Sequence, residues 1–158
     1  MSKHGEEASR LFRSGYNCAQ AVAGAFADDL GLPVETVARM VSGFGGGFGR
    51  LREVCGAVSG MTFVYSALRG YGVADDPKAK TATYAGVQAL AEDFRKCNGS
   101  IVCKELLGLK KPEGTPVSEA RTPEYYQKRP CPELVRCAAE LLDAHLNGEV
   151  PTCDGRAL

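Results

Sequence analysis

Cysteine is the residue type with the clearest chemistry in this 158-residue chain, which contains seven of them, at positions 18, 55, 97, 103, 131, 137 and 153. The thiolate form of cysteine is both a nucleophile and a metal ligand. The N-terminal stretch MSKHGEEASRLFRSG lacks the apolar segment of a secretory signal. We therefore expect a cytoplasmic protein, in which several thiols serve metal binding or redox chemistry rather than a secreted disulfide framework.

Composition and charge narrow the class of protein that these thiols belong to. Apolar residues make up 44% of the chain and charged residues 24%, which is typical of one globular domain over residues 1–158. Nineteen basic residues balance nineteen acidic ones, so the chain lacks the basic excess of a nucleic-acid-binding protein. No apolar run reaches the roughly 18 residues of a membrane span, so we expect none.

The elements that must position the thiols are helices. Apolar residues recur at helical spacing, and no segment alternates with period two for long, so the pattern predicts an all-α fold. We expect a single compact bundle of six to seven helices, over residues 6–14, 18–30, 33–41, 53–69, 78–96, 101–107 and 132–146.

A long loop is predicted before the last helix, and an extended tail over residues 148–158. The loop over residues 109–130 contains Pro112, Pro116, Pro123 and Pro130, with one helical turn expected near Ser118. Loops of this length often cover a site or an oligomer contact, so a homo-oligomer is one expectation.

Four of the seven cysteines fall at predicted helix N-termini, and these are Cys18, Cys55, Cys103 and Cys131. The free N–H groups and the positive dipole end of a helix N-terminus stabilise a thiolate. Cys97 falls at a helix C-terminus, Cys137 inside a helix and Cys153 in the tail. For these three thiols we expect buried filler or incidental surface positions, although Cys97 and Cys137 stay secondary candidates for the site.

A glycine-rich run precedes Cys55 and has two interpretations. It has no G-K-[ST] ending, no G-x-G-x-x-G register and no preceding strand, so we expect no nucleotide. One interpretation is that glycines keep a space open beside the thiolates, and the candidates are Gly45, Gly46, Gly47, Gly56 and Gly60. The other is that they serve close helix packing.

The run FGGGFGRLREVCGAVSG resembles the signature of the redox-active family named for its C_GCAxxG_C_C cysteine pattern. The segments GYNCAQAV and NGSIVCKELLG are similar to the family's first and third cysteine regions, which assigns Cys18 and Cys103 beside Cys55. PCPELVRCAAELL is similar to the fourth, at Cys131 with Cys137 as an alternative. The resemblance implies a small helical protein with a redox role. A related cysteine-bearing unit in split-Soret cytochromes resembles a holder for an iron–sulfur centre.

The sequence is compatible with four functions. First comes an iron–sulfur cluster or other metal centre on the four motif cysteines, exchanging electrons with an unknown redox partner. Second comes a thiol–disulfide switch or oxidoreductase, although no C-x-x-C is present. A structural zinc site is third, and a partner-binding module with incidental thiols is fourth. Covalent haem is not expected, because the chain has no C-x-x-C-H.

Overall fold

The chain is built from α-helices, and this confirms the predicted all-α class. A computed structural model describes residues 1–111 and 114–158. Its helices are α1 Lys3–Arg13, α2 Cys18–Ala25, α3 Ala27–Leu30, α4 Val34–Val41, α5 Gly45–Phe48, α6 Gly56–Arg69, α7 Pro77–Asn98, α8 Cys103–Leu106, α9 Pro123–Lys128 and α10 Cys131–Asn147. A 3-10 turn, Ser42–Phe44, precedes α5, and two short strands, β1 Thr152–Cys153 and β2 Arg156–Ala157, follow α10.

Local capping chemistry sets where the main helices begin and end. At the start of α2, the Asn17 side chain accepts a hydrogen bond from the Gln20 N–H, and the Gln20 side chain accepts one from the Asn17 N–H. This reciprocal pair is the capping box that the sequence predicts. Gly99 and Gly148 end α7 and α10 in left-handed conformations, which glycine adopts without steric cost.

The hydrophobic core lies between α1, α2, α6, α7 and α10. Helix α1 packs against α10 and α2, and α2 packs against α6. Fully buried side chains from these helices fill the interior, among them Phe12, Val22, Met61, Phe94 and Leu142. The core therefore holds together the helices whose N-termini carry Cys18 and Cys131.

Three predictions of local structure were wrong in detail. The predicted helix over 18–30 is interrupted at Phe26, whose φ of −99° and ψ of 16° are not helical. The helical turn expected near Ser118 instead lies at Pro123–Lys128, where Thr122 caps the first turn. The tail is not simply extended, because β1 and β2 pair as an antiparallel hairpin. Of the loop prolines, Pro112 lies outside the described residues.

No helix in the described part of the chain has the length and apolar character needed to cross a membrane.

Candidate functional site

One cavity of about 440 Å³ is lined by four cysteines that come from distant parts of the chain. They are Cys18, Cys55, Cys103 and Cys131, and all four are free thiols. Cys18 is partly exposed and the other three are buried. The structure thus brings the four motif cysteines to one place, although 113 residues separate the first from the last.

Each of the four thiols lies at the start of a helix. Cys18, Cys103 and Cys131 are the first residues of α2, α8 and α10, and Cys55 directly precedes α6. A helix N-terminus directs unpaired N–H groups and partial positive charge toward the neighbouring side chain. The cavity therefore lies at the starts of four helices.

A short antiparallel contact between two loops holds Cys55 next to Cys103. The Cys55 N–H donates to the Ile101 carbonyl oxygen at 2.8 Å, and the Cys103 N–H donates to the Glu53 carbonyl oxygen at 2.6 Å. Val54 and Val102 form the bridge between these bonds. Backbone hydrogen bonds thus fix the two cysteines relative to each other.

The glycine-rich run lies against the cysteines, and two of its glycines make close approaches. A Cβ atom on Gly47 would lie 2.6 Å from Cys103 Cβ, and the Gly47 φ of +72° disfavours any side chain. A Cβ atom on Gly56 would lie 3.1 Å from Cys18 Cβ. Glycine at these positions therefore lets the backbone pass directly beside two of the thiols.

The remaining candidate glycines divide between the cavity and a helix contact. Gly45 and Gly46 also line the cavity, next to Asn17 and Arg50 respectively. Gly60 instead faces α2, where an added Cβ would lie 2.7 Å from the Ala19 carbonyl oxygen. In this structure Gly60 serves the packing of α6 on α2.

Cys18 and Cys131 form a hydrogen-bonded pair with opposite pKa shifts. The Cys18 thiol donates to the Cys131 sulfur, and this bond is the main cause that raises the pKa of Cys18 and lowers the pKa of Cys131. Burial raises the pKa of Cys18 further. The guanidinium groups of Arg129 and Arg121 reinforce the lowered pKa of Cys131, while burial opposes it. Cys131 is therefore the thiol of the pair that ionises first.

Burial is the largest influence on the pKa values of the other two thiols, Cys55 and Cys103. It raises the pKa of Cys55 to about 12, an increase that the nearby N–H groups of Ala57 and Val58 partly oppose. Burial also raises the pKa of Cys103, although the Arg52 Nη1, 3.8 Å from the Cys103 sulfur, acts in the opposite direction. Both thiols are protonated at neutral pH unless a bound cation replaces the proton.

Arginine side chains form the polar wall of the cavity, and the sequence analysis missed them. The cavity is lined by Arg50, Arg52, Arg121, Arg129 and a single acidic residue among those described, Glu119. A sequence signal was present, because arginine occurs three residues before Cys55 and two residues before Cys131. The walls thus supply positive charge to compensate for thiolates or an anionic ligand.

The three remaining cysteines do not line the cavity. Cys97, at the end of α7, and Cys153, in β1, form a disulfide with their Cα atoms 5.5 Å apart. The expectation that these two are incidental thiols was wrong, because the path of the tail brings β1 against α7. Cys137 is a free, partly buried thiol on α10 that accepts a hydrogen bond from Asn98 Nδ2 at 3.3 Å.

No three His, Cys, Asp or Glu side chains in the described ranges, 1–111 and 114–158, are grouped closely enough to hold a metal ion. The four cysteines share a cavity, but they do not converge on a single point within it.

The fold and the cavity define a class of protein, a small helical bundle with a four-cysteine pocket. A family model described as "Putative redox-active protein (C_GCAxxG_C_C)" matches residues 16–145, and the chain belongs to this family. The matched residues include the four cysteines of the cavity and exclude Cys153. No curated protein and no solved structure matches the chain.

Proposed function

We propose that Cys18, Cys55, Cys103 and Cys131 form one redox centre that holds an iron–sulfur cluster and exchanges single electrons with a partner protein. The observation that carries this proposal is the single cavity of about 440 Å³ that all four thiols line. A switch between two thiols would use only two of these cysteines. A cluster with four cysteine ligands gives every one of them a role.

The charges around the four thiols support this proposal. Four thiolates carry four negative charges, and the described cavity wall supplies four guanidinium groups against one carboxylate. Positive charge and hydrogen bonds around the sulfur atoms also tune the reduction potential of an iron–sulfur cluster. When bound, the cluster would supply reversible one-electron chemistry, and the protein residues would hold it and shield it from water.

The spacing of the thiols favours a cluster over a zinc ion. Structural zinc sites generally take their ligands from closely spaced C-x2-4-C pairs, whereas successive cysteines of the cavity lie 37, 48 and 28 residues apart in the sequence. An iron–sulfur cluster distributes its cysteine ligands over at least two iron atoms. Four thiols that reach one cavity from separate helix starts suit the second arrangement better.

The proposal is tested by counting iron and acid-labile sulfide per chain in protein purified without oxygen. We expect both elements in comparable amounts. Protein with bound zinc and no sulfide would favour the structural site instead, and protein free of metal would favour the thiol pair described below.

The close approach of Gly47 to Cys103 leads to a matched pair of substitutions. Gly47→Ala places a methyl group against Cys103 Cβ in a left-handed conformation. Gly31→Ala creates the same kind of strain, at a φ of +66° with no atom within 4 Å. Each variant should lose about 1 to 2 kcal/mol of stability from backbone strain, and Gly47→Ala should lose more because its Cβ would also lie 2.8 Å from the backbone atoms Arg52 Cα and Glu53 N. Only Gly47→Ala should lose most of the iron. Equal iron contents in the two variants would contradict the placement of Gly47 at the site.

A second function is favoured by the hydrogen bond between Cys18 and Cys131. These two thiols are neighbours in the cavity. Oxidation would join them, release two protons and pass two electrons to a disulfide of a partner, which would become two thiols. Cys131, the thiol with the lowered pKa, would be the nucleophile.

The opposite pKa shifts predict an order of reactivity in metal-free, reduced protein. A lowered pKa means that the Cys131 thiolate forms at a lower pH, so its alkylation rate should rise at lower pH than that of Cys18. Iodoacetamide labelling across a pH series, followed by peptide mass spectrometry, measures both rates. An alkylation rate that rises at lower pH for Cys18 than for Cys131 would contradict the described hydrogen bond.

A further inference from the structure

The three cysteines outside the cavity lie in one region, where the tail meets α7 and α10. The disulfide joins Cys97, in the last turn of α7, to Cys153 in β1. Asn98, the next residue of α7, donates a side-chain hydrogen bond of 3.3 Å to the Cys137 sulfur on α10. The carboxylate of Asp154, directly after Cys153, contributes to a raised pKa of Cys137. A free thiol therefore interacts with the sequence neighbour of each half of a disulfide.

Two of these cysteines belong to the packed body of the protein. Helix α7 packs against α10, and both Cys97 and Cys137 are partly buried against the hydrophobic core. The Asn98 side chain that bonds to Cys137 is itself held by a second hydrogen bond, of 3.0 Å, to the Phe94 carbonyl oxygen. The helices thus fix Cys97 and Cys137 relative to each other.

The third cysteine belongs to a tail with little burial of its own. Within residues 149–158, Pro151 and Cys153 are partly buried and the others are exposed. The hydrogen bonds that shape the hairpin lie inside it, since β1 pairs with β2 and the Leu158 N–H donates to the Pro151 carbonyl oxygen at 3.0 Å. The disulfide is the covalent bond that ties this hairpin to α7. Cys153 is therefore the half of the disulfide that can move away.

We infer that Cys97, Cys137 and Cys153 form a thiol–disulfide exchange site in which Cys137 releases the tail from α7. The Cys137 thiol loses its proton to solvent, and the thiolate attacks the Cys97 sulfur. The bond between Cys137 and Cys97 forms, the bond between Cys97 and Cys153 breaks, and Cys153 leaves as a thiolate. One disulfide replaces another, so the step needs no external oxidant or reductant. The inference goes beyond the proposed redox centre and uses none of its cysteines.

The surroundings of Cys137 set the pH at which this exchange occurs. Burial is the main cause that raises its pKa, and the carboxylates of Glu140, on α10, and Asp154, on the tail, raise it further. The hydrogen bond from Asn98, on α7, and the charge of Arg136, on α10, lower it. The raised pKa keeps Cys137 mostly protonated at neutral pH, and only the thiolate attacks. Exchange should therefore be slow at neutral pH and faster at alkaline pH.

Trapping with iodoacetamide tests the inference on the unreduced wild-type protein. Exchange frees the Cys153 thiol, alkylation blocks its return, and peptide mapping without reduction identifies the products. We expect alkylated Cys153 together with a disulfide between Cys97 and Cys137. These products should form faster as the pH rises, by up to about tenfold per pH unit. In Cys137→Ser the original disulfide should persist, and Cys153 should stay unlabelled.

A second variant tests the reach of Cys137 without replacing it. Cys153→Ser leaves Cys97 without its partner, so oxidised glutathione should join Cys97 to Cys137 within one chain, with release of reduced glutathione. The matched control combines Cys153→Ser with Cys137→Ser, cannot form this bond and should carry glutathione on Cys97. Circular dichroism verifies that each variant is folded.

Three results would overturn the inference. The first is wild-type protein in which Cys137 becomes alkylated while the bond between Cys97 and Cys153 stays intact. The second is labelling of Cys153 at the same rate in Cys137→Ser as in the wild type. The third is Cys153→Ser protein that carries glutathione on Cys97 and forms no bond to Cys137. Iron content measured on the same samples reports separately on the proposed redox centre.

Discussion

Cys55→Ser is expected to lose nearly all of the bound iron. Cys55 is 4% exposed and lies at the start of α6, where backbone hydrogen bonds hold it beside Cys103. Cysteine thiolates are the usual ligands of iron–sulfur clusters, and a serine hydroxyl is a harder and much less acidic donor. The vacated position cannot be taken over by Cys97 or Cys153, because these two are joined in a disulfide.

Cys137→Ser provides the matched control, since it removes a free, partly buried thiol that does not line the cavity. This variant should keep the wild-type content of iron and sulfide. Both variants are compared after anaerobic reconstitution, with circular dichroism to verify that each is folded. Equal losses of iron in the two variants, or full retention of iron in Cys55→Ser, would contradict the assignment of Cys55 to the site and of Cys137 to the cysteines outside it.

Removing the disulfide between Cys97 and Cys153 is expected to produce the largest change in stability. The bond joins residues 56 apart in sequence, and the chain-entropy model gives about 4 kcal/mol for closing a loop of this length. For a protein of this size, that loss lowers Tm by roughly 8 to 16 °C. The double variant Cys97→Ser with Cys153→Ser should show this decrease without any loss of iron.

Treatment with a reductant separates the effect of the disulfide bond on Tm from the effect of replacing the two cysteine side chains. In metal-free protein, dithiothreitol should lower the wild-type Tm to that of the double variant and leave the variant unchanged. Thermal unfolding followed by circular dichroism gives both values. A wild-type Tm that equals that of the double variant without reductant would show that the bond contributes nothing to stability.

Much of the fold is predictable from the sequence because helix boundaries depend on local chemistry. The Asn17 and Gln20 capping box, and the glycines at positions 99 and 148, act within a few residues of themselves. The capping box placed the start of α2 at Cys18, Gly99 marked the break before the helix that carries Cys103, and Gly148 marked the end of the last helix. Where a boundary depends on tertiary packing, as at Phe26 between α2 and α3, the apolar pattern did not predict the interruption.

The features that the sequence analysis missed depend on contacts between distant segments. The pairing of Cys97 with Cys153 follows from the path of the tail past α7, which no local pattern specifies. Arg121 and Arg129 come from a proline-rich, polar stretch that is typical of an exposed loop, yet both line the cavity. Likewise, the composition around Gly47 and Gly60 does not distinguish a glycine beside a thiol from one between two helices.

The visible absorption spectrum of the wild-type protein, purified without oxygen and then reduced with dithionite, tests the central claim most directly. If the four cysteines hold an iron–sulfur cluster, sulfur-to-iron charge-transfer bands should be present, weaken on reduction and return on reoxidation. A colourless protein whose spectrum does not change with reduction, and which contains neither iron nor sulfide, would contradict the claim.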